Sequence, residues 1–264
     1  MEMRIRDQFM ELNKRYFNNA ELPITFYYSD TGERAKLVRR GSFSRCVMGA
    51  LKEVRNGQDL SFNADSIECF GGRRYLGFDQ TLGPDFEYFL SCGIPGRMEG
   101  ERYKKSPRLV KEILKNWPKL RAPQPYVVFR RWDNLCKEDD PEVVIVFAQP
   151  DVLAGLFTLA NFDQSQPEGV IAPMGSGCSS IVSYPYLEKD SLHPRAIIGM
   201  FDPSARPHVP KDRLSFAVPM KRFITMIGNM EESFLITDTW QKLQRRIVAS
   251  PTKLTKNAAG STGS

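Results

Sequence analysis

The residues of this 264-residue chain that could do chemistry gather around two glycine-flanked cysteines. The first lies in Gly175-Ser176-Gly177-Cys178-Ser179-Ser180. Small residues in succession leave backbone N–H groups open, and a helix starting behind them adds a positive dipole end. That pairing suits phosphate or carboxylate. The same field would lower the pKa of Cys178 and make it a nucleophile or a metal ligand. A plain tight turn is the alternative, because Ser180 stands where the dinucleotide fingerprint needs its third glycine. The second cysteine opens Cys69-Phe70-Gly71-Gly72-Arg73-Arg74. Its glycines permit close backbone approach, and Arg73 and Arg74 could hold an anion. A small buried thiol beside a glycine turn explains it too. Cys69, Gly71, Gly72, Arg73, Gly175, Gly177 and Cys178 are the candidate cofactor-binding residues.

Five cysteines occur, at 46, 69, 92, 136 and 178. Their odd number and wide spacing argue for reduced thiols. No Cys-x-x-Cys pair points to structural zinc. Cys69 and Cys178 could hold a soft metal or an iron–sulfur group only with further ligands, and Cys46 is the expected third. Cys92 and Cys136 read as isolated thiols. His193 and His208 are the only histidines, which excludes a multi-histidine centre. The stretch from Phe201 to Pro210 brings Asp202, Arg206 and His208 together between two expected strands. His208 could serve Cys178 as a general base, or the stretch could be a proline-braced surface loop. The phosphate-loop, His-Glu-x-x-His and Gly-x-Ser-x-Gly patterns are absent, which argues against nucleotide hydrolysis, zinc proteolysis and common esterase chemistry.

Elements must position these residues, and the composition can build them. Hydrophobic residues are 41% and charged residues 26%, enough apolar material for a core without disulfides. The net charge of +6 is modest. Basic doublets such as Arg73-Arg74 and Arg130-Arg131 are scattered, as on a solvated surface, so nucleic acid is not the expected partner. No apolar run is long enough to span a bilayer. The first residues lack the apolar stretch of a signal peptide, so a cytoplasmic protein is expected.

Helices are expected from Arg4 to Phe17, from a Ser44 cap to Arg55, from Ser106-Pro107 to before Pro118, and from Gln149-Pro150-Asp151 to Leu159. Two more are expected from Pro219 to Met230 and from Asp238 to Val248. Strands are expected at 22–28, 60–62, 126–132, 142–147, 169–172, 195–201 and 214–218. The order strand, helix, short strand, glycine-flanked cysteine occurs twice. It pairs Ile24–Tyr28 with Val143–Phe147, Cys46–Val54 with Val152–Ala160, Leu60–Phe62 with Gly169–Ala172, and Cys69 with Cys178. The expected fold is therefore α+β, as two weakly related αβ halves packed around a shared core. The halves would be residues 1–120 and 121–249, followed by a disordered tail at 250–264. An unrepeated α+β fold with two glycine-rich turns is the alternative.

Four segments carry a family resemblance. They are Arg45-Cys46-Val47-Met48-Gly49-Ala50-Leu51, the stretch from Ile67 to Phe78 around Cys69, Val143 to Leu153, and Leu214 to Pro219. In this order they resemble the uncharacterised family known as domain of unknown function 169, over roughly residues 9–230. Cys69 and Gly71 match the family's Cys and Gly, and Gly72 stands where alanine is common. Gly177-Cys178 matches a small-residue turn after the central strand. The resemblance implies no activity. It implies a cytoplasmic role with a cysteine-associated site and without nucleic acid.

The expected function is the binding of a small anionic ligand or a metal-containing cofactor at a Gly/Cys-lined site between the halves. A thiol enzyme with Cys178 as nucleophile is the second expectation. An interaction module without a small-molecule site is the third. The oligomeric state stays open.

Overall fold

The computed structural model describes residues 2–42 and 45–249. The expected Ser44 cap and the tail from residue 250 lie outside the described residues. Among the described residues the fold is α+β, with nine α-helices and one mixed eight-stranded open sheet.

The strands are β1 (Ile24–Ser29), β2 (Lys36–Leu37), β3 (Leu60–Phe62), β4 (Tyr126–Arg131), β5 (Val143–Ala148), β6 (Val170–Ile171), β7 (Ala196–Gly199) and β8 (Leu214–Pro219). Their order across the sheet is β2-β3-β4-β1-β5-β8-β7-β6. At the centre β1 pairs antiparallel with β5, Ile24 facing Ile145. Outward from β1, β4 is antiparallel, β3 antiparallel to β4, and β2 parallel to β3. Outward from β5, β8, β7 and β6 follow with the same three senses. The central strands are apolar on both faces because both faces are covered. All six residues of β5 are buried.

The helices are α1 (Met3–Tyr16), α2 (Val47–Arg55), α3 (Phe70–Tyr75), α4 (Phe86–Phe89), α5 (Pro107–Asn116), α6 (Pro150–Asn161), α7 (Tyr184–Glu188), α8 (Met220–Asn229) and α9 (Asp238–Ala249). On one face of the sheet, α2, α3 and α7 cover a core that includes Phe26, Leu51, Phe129, Ile145 and Ile181. On the other, α1, α6, α8 and α9 cover Val144, Phe216 and Trp132 with Phe9, Leu156, Phe223 and Trp240. Burying each such Phe or Leu is favourable by about 1.5–3 kcal/mol. Leu90, Val110 and Trp117 form a small third cluster between α4 and α5.

Local chemistry explains most boundaries. The Ser106 side chain accepts the Leu109 N–H, and Pro107 takes the first helical position of α5. Phe9, Leu12 and Tyr16 form the buried stripe of α1. Other elements escape the sequence pattern. β2 is two exposed residues, recognisable only from its pairing with β3. The expected counterparts α2 and α6 lie on opposite faces of the sheet, because a strand–helix–strand order does not specify a face.

The helix expected after Gly177 begins as a π-turn, Ser179–Ser183, which runs into α7. Its serines bond backwards instead of facing water. Ser179 Oγ donates to the Ser176 carbonyl, Ser180 Oγ to that of Gly177, and Ser183 Oγ to that of Tyr75. Such side-chain bonds compete with the regular ladder and accommodate an extra residue per turn. Gly199 makes room for it. A Cβ there would lie 2.2 Å from the Ser180 Cβ.

Candidate functional site

Three cysteines stand at the starts of three helical segments on the same sheet face. Cys46 precedes α2, Cys69 caps α3, and Cys178 precedes the π-turn. Two glycines set how closely these segments approach. A Cβ on Gly72 would sit 2.9 Å from side-chain carbons of Val47 and Ile67, so Gly72 lets α3 pack on the start of α2. A Cβ on Gly177 would sit 2.7 Å from the Ala205 Cβ and 3.2 Å from the Met200 sulfur. Gly177 thus lets the Cys178 loop lie against the turn after β7.

That turn is itself unusual. Met200 is buried yet has φ of 68°, the left-handed region that costs a non-glycine residue about 1 kcal/mol or more. It delivers Asp202, whose Oδ2 accepts the Gly177 N–H at 3.2 Å. Asp202 Oδ1 accepts the Ser204 N–H and hydroxyl at 3.0 and 2.8 Å. The Asp202-Pro203-Ser204 spacing is a turn signal, and it could have marked Asp202 in the sequence as the residue that builds the loop.

The electrostatics reverse one expectation. Burial raises the Cys178 thiol well above its ordinary value, and Cys46, Cys69 and Asp202 raise it further. Burial also raises Cys46. The N–H groups of Met48 and Gly49 pull it down, while Cys69 and Asp202 push it up. A helix start was expected to activate Cys178, but enclosure and neighbouring acids outweigh it. The three thiols and the carboxylate therefore lie within electrostatic reach of one another. No Lys or Arg is among the groups that shift Cys178.

The anion cradle does not form as expected. The Gly177 N–H is taken by Asp202, the Ser179 N–H by Ser176 Oγ, and the Ser180 N–H by the Ser176 carbonyl. Gly175 is needed for packing, since its Cβ would meet Ser179 Oγ at 2.3 Å. At the other stretch, Cys69 Sγ accepts the Gly72 N–H at 3.4 Å. Arg73 Nε donates to the Ile67 carbonyl at 2.6 Å, so it braces the turn. Gly71 has only ordinary contacts, with Cys69 Sγ 3.7 Å from its would-be Cβ.

The remaining candidates separate. His208 ends a 3₁₀ turn, Arg206–His208, and among the described residues no hydrogen bond joins its side chain to Cys178. Cys92 is exposed. Cys136 is not isolated: its thiol donates to Asp139 Oδ2 at 3.1 Å, beside Arg130 and Tyr27. Among the described residues no group of three His, Cys, Asp or Glu is arranged to hold one metal ion. Cys46, Cys69 and Cys178 are near neighbours without converging on a point.

Sequence reading missed the aromatic wall of this site. Trp117 Nε1 and the Tyr184 hydroxyl both donate to the Met174 carbonyl, at 3.3 and 3.0 Å. Tyr75 packs edge-on against Trp117, with ring centroids 6.1 Å apart. Phe70 and Phe201, next to Cys69 and Asp202, are 73% and 56% exposed and flank the site. A cavity of about 10 Å3 beside Val47 and Ile67 has room for one water.

No helix among the described residues is long and apolar enough to cross a membrane. No curated protein and no solved structure matches the chain. The family model for domain of unknown function 169, described as an uncharacterised ArCR family, matches residues 14–229 and so spans both sides of the sheet and all three clustered cysteines; the chain belongs to that family.

Proposed function

We propose that this protein binds a metal-containing cofactor of several atoms, of iron–sulfur type, at the junction of Cys46, Cys69, Cys178 and Asp202. The observation that carries this reading is the gathering of three helix-start thiols on one sheet face, two of them raised by burial, beside the Asp202 carboxylate. Acidic groups gathered in a partly desolvated place raise one another, and a positively charged centre would relieve that repulsion. Thiolates select soft metals. A single ion would need its ligands to converge, whereas a cluster presents separate metal atoms to separate thiols. When bound, such a group supplies redox or Lewis-acid chemistry. The chain's own residues supply the thiolates, the flanking aromatic wall and the enclosure of Cys178. A small anion fits less well, because the Gly177, Ser179 and Ser180 N–H groups are already bonded and Asp202 adds negative charge.

The repeated strand senses support a further reading, that the chain is two related halves meeting at β1 and β5. On it the halves divide in the connection after β4, later than residue 120. The crossover β2–α2–β3 then corresponds to β6–π-turn–α7–β7. Cys46 becomes the counterpart of Cys178, in place of Cys69. Each half contributes a cysteine ahead of its crossover helix and one acidic group after its third strand, Cys69 or Asp202. A site at the junction of two such halves has donors from both.

A thiol enzyme with Cys178 as nucleophile draws less support, since the thiol is buried and raised, and among the described residues no hydrogen bond joins it to His208. The test is anaerobic purification of the full chain, then reconstitution with ferrous iron and sulfide. Visible absorbance and metal content are read on one sample. We expect near-stoichiometric loading that falls in Cys46→Ser, Cys69→Ser and Cys178→Ser and persists in Cys92→Ser. A colourless, metal-free protein after reconstitution, or equal loading in all four variants, refutes the reading.

A further inference from the structure

The β2 edge of the sheet is strongly basic. Residues 33–45 carry five basic side chains, Arg34, Lys36, Arg39, Arg40 and Arg45, against one acidic one, Glu33, in a chain of net charge +6. All five are exposed. Nearby carboxylates do little to neutralise them. Glu138 lies 3.9 Å from Arg34 and Glu68 3.5 Å from Arg45, and ion pairs of such solvent-exposed arginines are weak. Arg40 Nε donates to the Asp65 carbonyl at 2.6 Å, which leaves its charge uncompensated. The Arg39 guanidinium has no partner among the described residues.

The backbone of the same edge is open. β2 pairs with β3 alone. The Lys36 and Val38 N–H groups donate inward, to the Asp59 and Ser61 carbonyls at 3.0 and 2.9 Å. Backbone groups alternate in direction along a strand, so the N–H and C=O of Leu37 point outward. Neither has a partner among the described residues, and Leu37 is exposed. The opening is one residue long. On one side of it the Gly32 carbonyl accepts the Ala35 N–H at 3.4 Å, and on the other Ser42 Oγ accepts the Arg39 N–H at 3.1 Å.

Unpaired backbone groups on a sheet edge are a template for another strand. Lysine and arginine there repel a second copy of the same edge, and the same charge selects an acidic strand. We propose that β2 takes up an extended acidic segment of a partner protein, which joins the sheet beside it. The segment exchanges backbone hydrogen bonds with Leu37 and sets carboxylates against the basic side chains from Arg34 to Arg40. So short a backbone pairing holds a peptide weakly, so charge carries most of the affinity and the backbone bonds select the extended form. A phosphate backbone would meet the charge, but it offers no N–H to the Leu37 carbonyl. The proposal is independent of the cofactor reading above.

The experiment measures binding to the full chain by fluorescence anisotropy at low ionic strength. The labelled probes are a short peptide alternating glutamate and valine, the same peptide with its backbone fully N-methylated, and single-stranded oligothymidylate of matched charge. The first peptide is expected to bind, and to weaken about tenfold in about 0.5 M salt. The N-methylated peptide keeps the charge but cannot donate to Leu37, and is expected to bind about fivefold more weakly. Arg39→Glu is expected to weaken the first peptide about fivefold, whereas Arg39→Lys keeps the charge and the binding. Both variants are expected to melt with wild type, because the Arg39 side chain has no partner to lose. Absence of binding by the first peptide overturns the inference. Equal binding of the N-methylated peptide overturns the strand pairing on which it stands. Oligothymidylate binding as tightly as the peptide or more so overturns it in favour of a phosphate polymer. Unchanged peptide affinity in Arg39→Glu places the contact elsewhere and also overturns it. Should Arg39→Glu fail to fold, the comparison of the probes on wild type still decides.

Discussion

Asp202 Oδ2 accepts the backbone N–H of Gly177 at 3.2 Å, which ties the turn after β7 to the loop that carries Cys178. The bond joins segments 25 residues apart. It occupies the N–H that an anion would need, and it places a carboxylate within reach of Cys46 and Cys178. A loop that reads as an anion cradle thus becomes the wall of an acidic, thiol-rich site.

The ionisation of Cys178 gives a kinetic and a thermodynamic consequence. Burial raises the thiol, so little thiolate forms at neutral pH. Alkylation at pH 7, followed residue by residue by mass spectrometry, is expected to modify exposed Cys92 at least about tenfold faster than Cys178. A raised folded pKa also means that folding favours the protonated thiol. That stabilisation is complete below the unfolded value of about 8.5 and is lost as pH rises through the higher folded value. The urea midpoint should therefore fall above about pH 8.5, and less steeply in Cys178→Ser. Comparable labelling rates at the two cysteines would contradict the burial argument.

The glycines separate packing from chemistry. Gly177→Ala places a Cβ 2.7 Å from that of Ala205, and Gly199→Ala one 2.2 Å from that of Ser180. Neither neighbour has a flexible end that could move aside. Each substitution is expected to cost about 1–3 kcal/mol in chemical denaturation. Gly71→Ala meets only ordinary contacts and lies within α3, so it is expected to be neutral or to stabilise by up to about 1 kcal/mol. A Gly71→Ala loss equal to that of Gly199→Ala would show that the local packing is described wrongly.

Asp139 anchors a second, purely structural network. Burial alone would raise its carboxyl. Hydrogen bonds from the Tyr27 hydroxyl, the Cys136 N–H and thiol, and Arg130 outweigh burial and hold it below its ordinary value. A depressed folded pKa gives stability that is present above the unfolded value of about 3.9 and is lost as pH falls through the folded one. Asp139→Asn leaves Arg130 short of a buried counter-charge and should cost about 3–5 kcal/mol at pH 7. Its acid limb in urea midpoints below about pH 4 should also be flatter than that of wild type. A variant with wild-type stability at pH 7 would remove Asp139 from the network that supports β1 and β4.

Much of the framework was legible in the residues. Six consecutive apolar residues at 143–148, rich in β-branched valine and isoleucine, read as a strand buried on both faces, and they are β5. Ser106-Pro107 carries the cap chemistry of α5, and Ile5, Phe9, Leu12 and Tyr16 the stripe of α1. These are local rules, satisfied within one or two turns of chain. β2 was not legible, because two exposed residues carry no periodicity and their strand character comes from pairing with β3. The individual site residues were legible as types: Cys69 and Cys178 beside glycines, and Cys46 at a helix start. Their sign was not. The dipole argument for Cys178 lacked its burial and the approach of Asp202, which are supplied by β7 and by the α2 face of the core.

The sequence by itself thus determined most of the longer helices and strands, their apolar faces and the presence of thiols beside tight turns, because propensity, capping and periodicity act between near neighbours. Only the tertiary structure decided that Cys46 and Cys178 lie within electrostatic reach of Cys69 and Asp202, and that burial raises both thiols. Those residues are brought together by strand order across the sheet, and electrostatic energies depend on distances through space and on exclusion of water.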